Sequence, residues 1–169
     1  MDGLGKRKIL RRERSHILVE IEMENNHFAY SWRFDDERYN LLLEEDLLLI
    51  SPISPTKSKE IWASIFKDGI SHLIELSPKS GWTSIKKEQV DTDIYDSGIS
   101  FISNYGYDDK DIVFFWNNEN AVSTKWSIFK KYWNDFCYPS DDNNLIYIDA
   151  CNIITFTDEI FCFYSRIEG

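Results

Sequence analysis

Residues 111–136 read DIVFFWNNENAVSTKWSIFKKYWNDF, and two patterns within them decide the fold. Ile112 to Trp116 is an unbroken apolar run with the length and the β-branched and aromatic content of a strand, placed at 111–117. Asn117, Asn118 and Asn120 mark a turn, because asparagine tolerates turn backbone and bonds its own chain. Trp126, Phe129, Trp133 and Phe136 then recur at spacings of three, four and three, which is one face of a helix. Thr124 is a natural cap, so the spacing predicts a helix over 124–137, with Lys125, Lys130 and Lys131 turned to solvent.

Downstream, Pro139 to Asn144 is a turn cluster. Three strands follow, predicted antiparallel at 145–149, 152–157 and 160–165, with Thr157-Asp158-Glu159 as the tight link between the last two. Upstream, Ser54 and Pro55 suit the cap and first position of a helix over 55–67. Ile61, Trp62, Ile65 and Phe66 form its inner face, and Gly69 ends the run. Phe28, Tyr30, Trp32 and Phe34 alternate with period two, which predicts a strand over 27–34. A strand at 16–23 would reach it through Asn25-Asn26. Glu44-Glu45-Asp46 suits the first turn of a helix that Pro52 stops. Residues 77–98 show no clear period and predict a long loop before a short helix over 97–105. These elements predict an α+β fold: one domain over 15–169, an antiparallel sheet with its helices on one face.

The chain has 169 residues and a net charge of −10, from 19 Lys+Arg against 29 Asp+Glu. At 43% hydrophobic and 28% charged it can build a core and is not a disordered polymer. An acidic body repels phosphates, which argues against broad nucleic-acid binding. Residues 1–14 are the exception. Lys6, Arg7, Lys8, Arg11, Arg12 and Arg14 face only Asp2 and Glu13, so this stretch reads as a basic tail. Aromatic residues make up 15% of the chain, enough to supply surface anchors as well as a core.

Cys137, Cys151 and Cys162 have neither metal-knuckle spacing nor the even count of a disulfide framework, and His16, His27 and His72 are scattered. Seven glycines form no phosphate-binding loop. Neither a secretory leader nor an 18-residue apolar span is legible, so the expected compartment is the cytoplasm and no membrane partner is expected. Ser54-Pro55-Thr56-Lys57 matches a serine–lysine nucleophile pattern in two residues only, and the cap explains Ser54 better. No catalytic residue, cofactor or metal is assigned.

The carboxylates are the remaining signal. Asp91, Asp93 and Asp96 flank Tyr95, and Asp108 and Asp109 follow Tyr107; with Asp141 and Asp142 as a second choice, these are the candidate partner-binding residues. From Trp32 onward the chain resembles a small family of bacterial proteins catalogued as a domain of unknown function. The resemblance rests on Trp32 and Phe34, the acidic stretch Glu44 to Ile50 before Pro52, the helix with Trp62, and above all Val113 to Phe136. In size, charge and Ile/Asn-rich composition it is also similar to immunity proteins of contact-dependent growth inhibition and other polymorphic toxin systems. That likeness implies a non-catalytic protein that neutralises a cognate toxin, a basic nuclease domain in many such systems. Two alternatives stand beside it: a metal-dependent hydrolase using the loop carboxylates, and an RNA-associated protein using Lys6 to Arg14.

Overall fold

Asn117 Oδ1 accepts hydrogen bonds from the backbone N–H groups of Glu119 and Asn120 and from Asn120 Nδ2, at 2.9, 3.0 and 2.9 Å, and so turns the chain back after Trp116. The structure, a computed structural model, describes residues 28–39 and 41–167. In chain order its elements are α1 (Trp32–Asp35), α2 (Glu44–Leu47), β1 (Ser51–Ile53), α3 (Pro55–Ile65), β2 (Trp82–Gln89), α4 (Tyr95–Ile102), β3 (Asp111–Asn117), β4 (Asn120–Lys125), α5 (Trp126–Lys131), α6 (Trp133–Phe136), β5 (Asn144–Tyr147), β6 (Asn152–Thr157) and β7 (Ile160–Arg166). The seven strands make one sheet in the order β1-β4-β3-β5-β6-β7-β2, antiparallel throughout. The fold is α+β on a single antiparallel sheet.

Side chains alternate across a strand, and β3 divides the core accordingly. Ile112, Phe114 and Trp116 join the larger cluster, with Phe101 and Ile102 of α4 and Trp126, Phe129, Trp133 and Phe136 of α5 and α6. Phe115 joins the other, with Trp62 and Ile65 of α3, Trp82 and Leu145. The helix over 55–67 therefore does not share a face with the later helices: α3 covers one side of the sheet and α4 to α6 the other. Helices on one face was the expectation; the apolar content of both faces of β3 is the reason for two layers.

Several elements lie where the sequence placed them. β3 and β6 match 111–117 and 152–157. The strands expected at 145–149 and 160–165 run over Asn144–Tyr147 and Ile160–Arg166, and the helices at 55–67 and 97–105 over Pro55–Ile65 and Tyr95–Ile102. Ser54 caps α3, its side chain accepting from Lys57 N at 3.3 Å, with Pro55 in the first turn. Asp158 and Glu159, at φ +50° and +60°, form the two-residue turn between β6 and β7.

Three expectations are corrected. The helix over 124–137 starts later, because β4 takes 120–125 and Thr124 pairs with Ile112. Trp126 N and Ser127 N donate to the carbonyls of Lys110 and Asp108 instead of to a capping side chain. The helix is also broken at Tyr132, yet its four aromatic residues stay in one fully buried cluster. From Phe28 on, the strand expected over 27–34 is a turn and α1: Ser31 N, Arg33 N and Phe34 N bond back to Phe28, Tyr30 and Ser31, and the rings of Phe28, Tyr30 and Phe34 gather on Trp116. The long loop of 77–98 contains β2, an edge strand exposed along most of its length, which hides the period of two. The basic tail 1–14, the strand at 16–23 and the Asn25-Asn26 turn lie outside the described residues.

Candidate functional site

Arg33 organises the end of the molecule where the candidate site lies. Its side chain is 4% exposed and holds Asp141 through two hydrogen bonds of 2.8 Å, while Nη1 also donates to the carbonyl of Phe136 at 2.9 Å. The guanidinium stands over four rings: Tyr138 at 4.1 Å, Tyr30 at 5.2 Å, Trp32 at 5.3 Å and Trp116 at 5.9 Å. Asp141 spends its remaining capacity on Tyr138 N and Asn144 Nδ2, both at 2.8 Å. It is an internal strut, held by Arg33, Tyr138 and Asn144.

The turn before α4 carries the first acidic group. Asp91 N donates to Ser97 Oγ, and Asp91 Oδ1 accepts from Asp93 N at 2.9 Å. Thr92 is buried and donates through N and Oγ1 to Glu159 Oε1, which fastens this turn to the β6–β7 hairpin. Asp91, Asp93 and Asp96 therefore stand exposed on a held frame, beside exposed Ile94 and Tyr95. None of the three carboxylates forms an ion pair with another described residue.

Lys130 joins this turn to the second group. Tyr95 Oη donates to the Lys130 carbonyl at 3.3 Å, and Lys130 Nζ pairs with Asp108 at 2.7 Å. Tyr107 is 65% exposed next to Asp108 and Asp109, and Lys125 Nζ bonds the Asp109 carbonyl while pairing with Asp111. Asp142 stands apart, 3.6 Å from His72 Nε2, on the loop tied to Asn143. The structure thus gathers Asp91, Asp93, Tyr95, Asp96 and Asp108 around α4 and α5, sets Tyr107 and Asp109 next to them, and leaves Asp142 elsewhere.

Between the Asp91–Asp96 turn and the aromatic end lies a cleft of about 540 Å³, lined by Arg38, Tyr39, Thr92, Asp93, Asn134, Asp135, Tyr138 and Pro139. Of these only Asp93 stood out in the sequence. Tyr39 and Tyr138 sit with ring centroids 6.5 Å apart, and both touch Trp32. Burial pushes the Tyr138 phenol above its usual pKa, against the lowering effect of Arg33. Arg38 clasps Asp36 at 2.6 to 3.2 Å, which lowers that carboxyl to about 2.

Among the described residues, no three His, Cys, Asp or Glu side chains come together as a metal-holding group. Burial raises the Cys137 thiol well above its usual pKa, whereas Cys151 is exposed. No described helix is long and apolar enough to cross a membrane.

No curated protein and no solved structure matches this chain. A family model does match, and its match includes α1, every strand up to Cys162 of β7, the cleft and the acidic turn. Over residues 21–162 it is that of a family described as protein of unknown function (DUF2947), and the chain belongs to this family.

Proposed function

We propose that the chain is a non-catalytic binding protein of the immunity kind, which neutralises a basic, nuclease-type toxin by covering its nucleic-acid surface. One observation carries the proposal: Asp91 and Asp93 on a fastened turn and Asp96 in the first turn of α4 stand exposed, without an ion-pair partner among the described residues, with Ile94 and Tyr95 exposed between them. Unmatched carboxylates on a chain of net charge −10 steer a basic partner over long distances. The apolar pair supplies the dry centre that a charged rim lacks. Tyr107, Asp108 and Asp109 extend the same surface.

The metal-dependent hydrolase requires several oxygen ligands around one point, and the described carboxylates do not converge in that way. The RNA-associated alternative rests on Lys6 to Arg14, outside the described residues.

The test is retention of host proteins on the immobilised chain at low and then high salt, followed by co-expression of any basic toxin-like protein retained. A partner that arrests growth alone and is silenced by this chain supports the proposal. The triple substitution Asp91→Asn, Asp93→Asn, Asp96→Asn should slow association about tenfold and flatten its salt dependence. Unchanged association and salt dependence would sink it.

A further inference from the structure

We propose that the cleft beside Tyr39 and Tyr138 receives a guanidinium or ammonium side chain from a basic polypeptide, with Asp93 as its counter-ion. This rests on the partner chemistry proposed above and assigns the anchoring point within it.

The walls have the right chemistry. Tyr39 and Tyr138 border the same space, and aromatic faces attract cations. The molecule already uses this attraction at Tyr138, where Arg33 stands 4.1 Å from the ring centroid. Arg38 also lines the cleft, but its charge is met by Asp36 through contacts of 2.6 to 3.2 Å. The carboxyl-bearing residues of the lining are Asp93 and Asp135. An anion would face two carboxylates there, and a neutral ligand would leave Asp93 unmatched.

The frame is also held in advance. Thr92 is bonded to Glu159, Tyr138 N to Asp141, and Trp133 Nε1 to the Tyr95 carbonyl at 3.0 Å. A preorganised site loses less on binding. A volume of about 540 Å³ is in the range that accepts a ligand larger than one side chain, which fits an Arg or Lys together with flanking backbone.

The test titrates the full chain with the peptide acetyl-Gly-Gly-Arg-Gly-Gly-amide, its lysine counterpart, and an uncharged citrulline counterpart, observing the tyrosine ring resonances by NMR. The Arg and Lys peptides should shift Tyr39 and Tyr138 saturably, and the citrulline peptide should not. Asp93→Asn and Tyr39→Ala, both at exposed positions, should each weaken binding about tenfold, while Asp108→Asn leaves it unchanged. Equal shifts from the citrulline peptide, or none from any at millimolar concentration, would overturn the proposal.

The two proposals fail separately. A basic protein whose retention falls on Asp91→Asn with Asp96→Asn, but not on Tyr39→Ala or Asp93→Asn, removes the cleft and keeps the partner. Arg-peptide binding in the cleft with no basic protein retained keeps the cleft and removes the partner.

Discussion

Arg33 and Asp141 lie 108 residues apart in the chain and meet in a two-pronged ion pair, 4% and 11% exposed. The pair joins α1 to the turn after α6, and four aromatic rings surround its cationic half. Removing one partner strands the other away from water. Arg33→Met should therefore cost about 3–5 kcal/mol. Asp141→Asn keeps an acceptor for Tyr138 N and should cost less. Urea unfolding at an unchanged slope measures both, and equal stability of Arg33→Met and the parent would refute the strut.

Gly98 packs under Trp133. A Cβ built there would lie 2.5 Å from the indole ring atoms, and the indole is itself fully buried with its N–H bonded to Tyr95. Gly98→Ala should destabilise the fold by about 1–3 kcal/mol despite the better helix propensity of alanine. A stabilised variant in thermal unfolding would show that α4 and α6 can separate freely.

Asp46 accepts from Lys131 Nζ and from Tyr132 Oη, tying α2 to the break between α5 and α6. The Lys131 hydrogen bond, then that of Tyr132, lowers the Asp46 pKa below its ordinary 3.8. A lowered folded-state pKa gives stability that is present above the unfolded value and lost as pH falls through the folded one. The stability gap between the parent and Asp46→Asn should be full at neutral pH and close below pH 3.8. A gap independent of pH would assign the effect to packing alone.

The thiols should separate by accessibility. Cys151 is exposed, while Cys137 and Cys162 are buried and the Cys137 thiol is held well above its usual pKa by desolvation. Iodoacetamide followed by peptide mass spectrometry should modify Cys151 in the folded protein and the other two only in denaturant. Fast labelling of Cys137 in native buffer would contradict its position in the core.

The legible part of the fold was the part where local pattern and tertiary environment agree. β3 and β6 are apolar on both faces because both faces are covered, so their bounds could be read directly. Trp126 to Phe136 kept its helical phase even across the break at Tyr132. β4 was missed because Thr124, a good cap, is also a good strand residue, and only pairing with Ile112 decides between the two. The same ambiguity misled at Phe28 to Phe34, where a period of two is produced by a turn closing on Trp116. The acidic turn was visible as composition. The cleft was not, since Tyr39, Asp93 and Tyr138 meet only after Arg33 and Thr92 are bonded to distant carboxylates.

The strand order has a consequence for how the chain is made. Among the described residues β1 pairs only with β4 and β2 only with β7, so both strands leave the ribosome long before these partners exist. Gln89 waits for Ile160, some seventy residues and roughly 4–14 s of synthesis. During that interval Trp82, later buried, is without the strand that neighbours it. β4, the partner of β1, is made before β5 and β6, whereas β7 is the last of the seven strands, so the β2 edge can be seated only after every other strand has emerged.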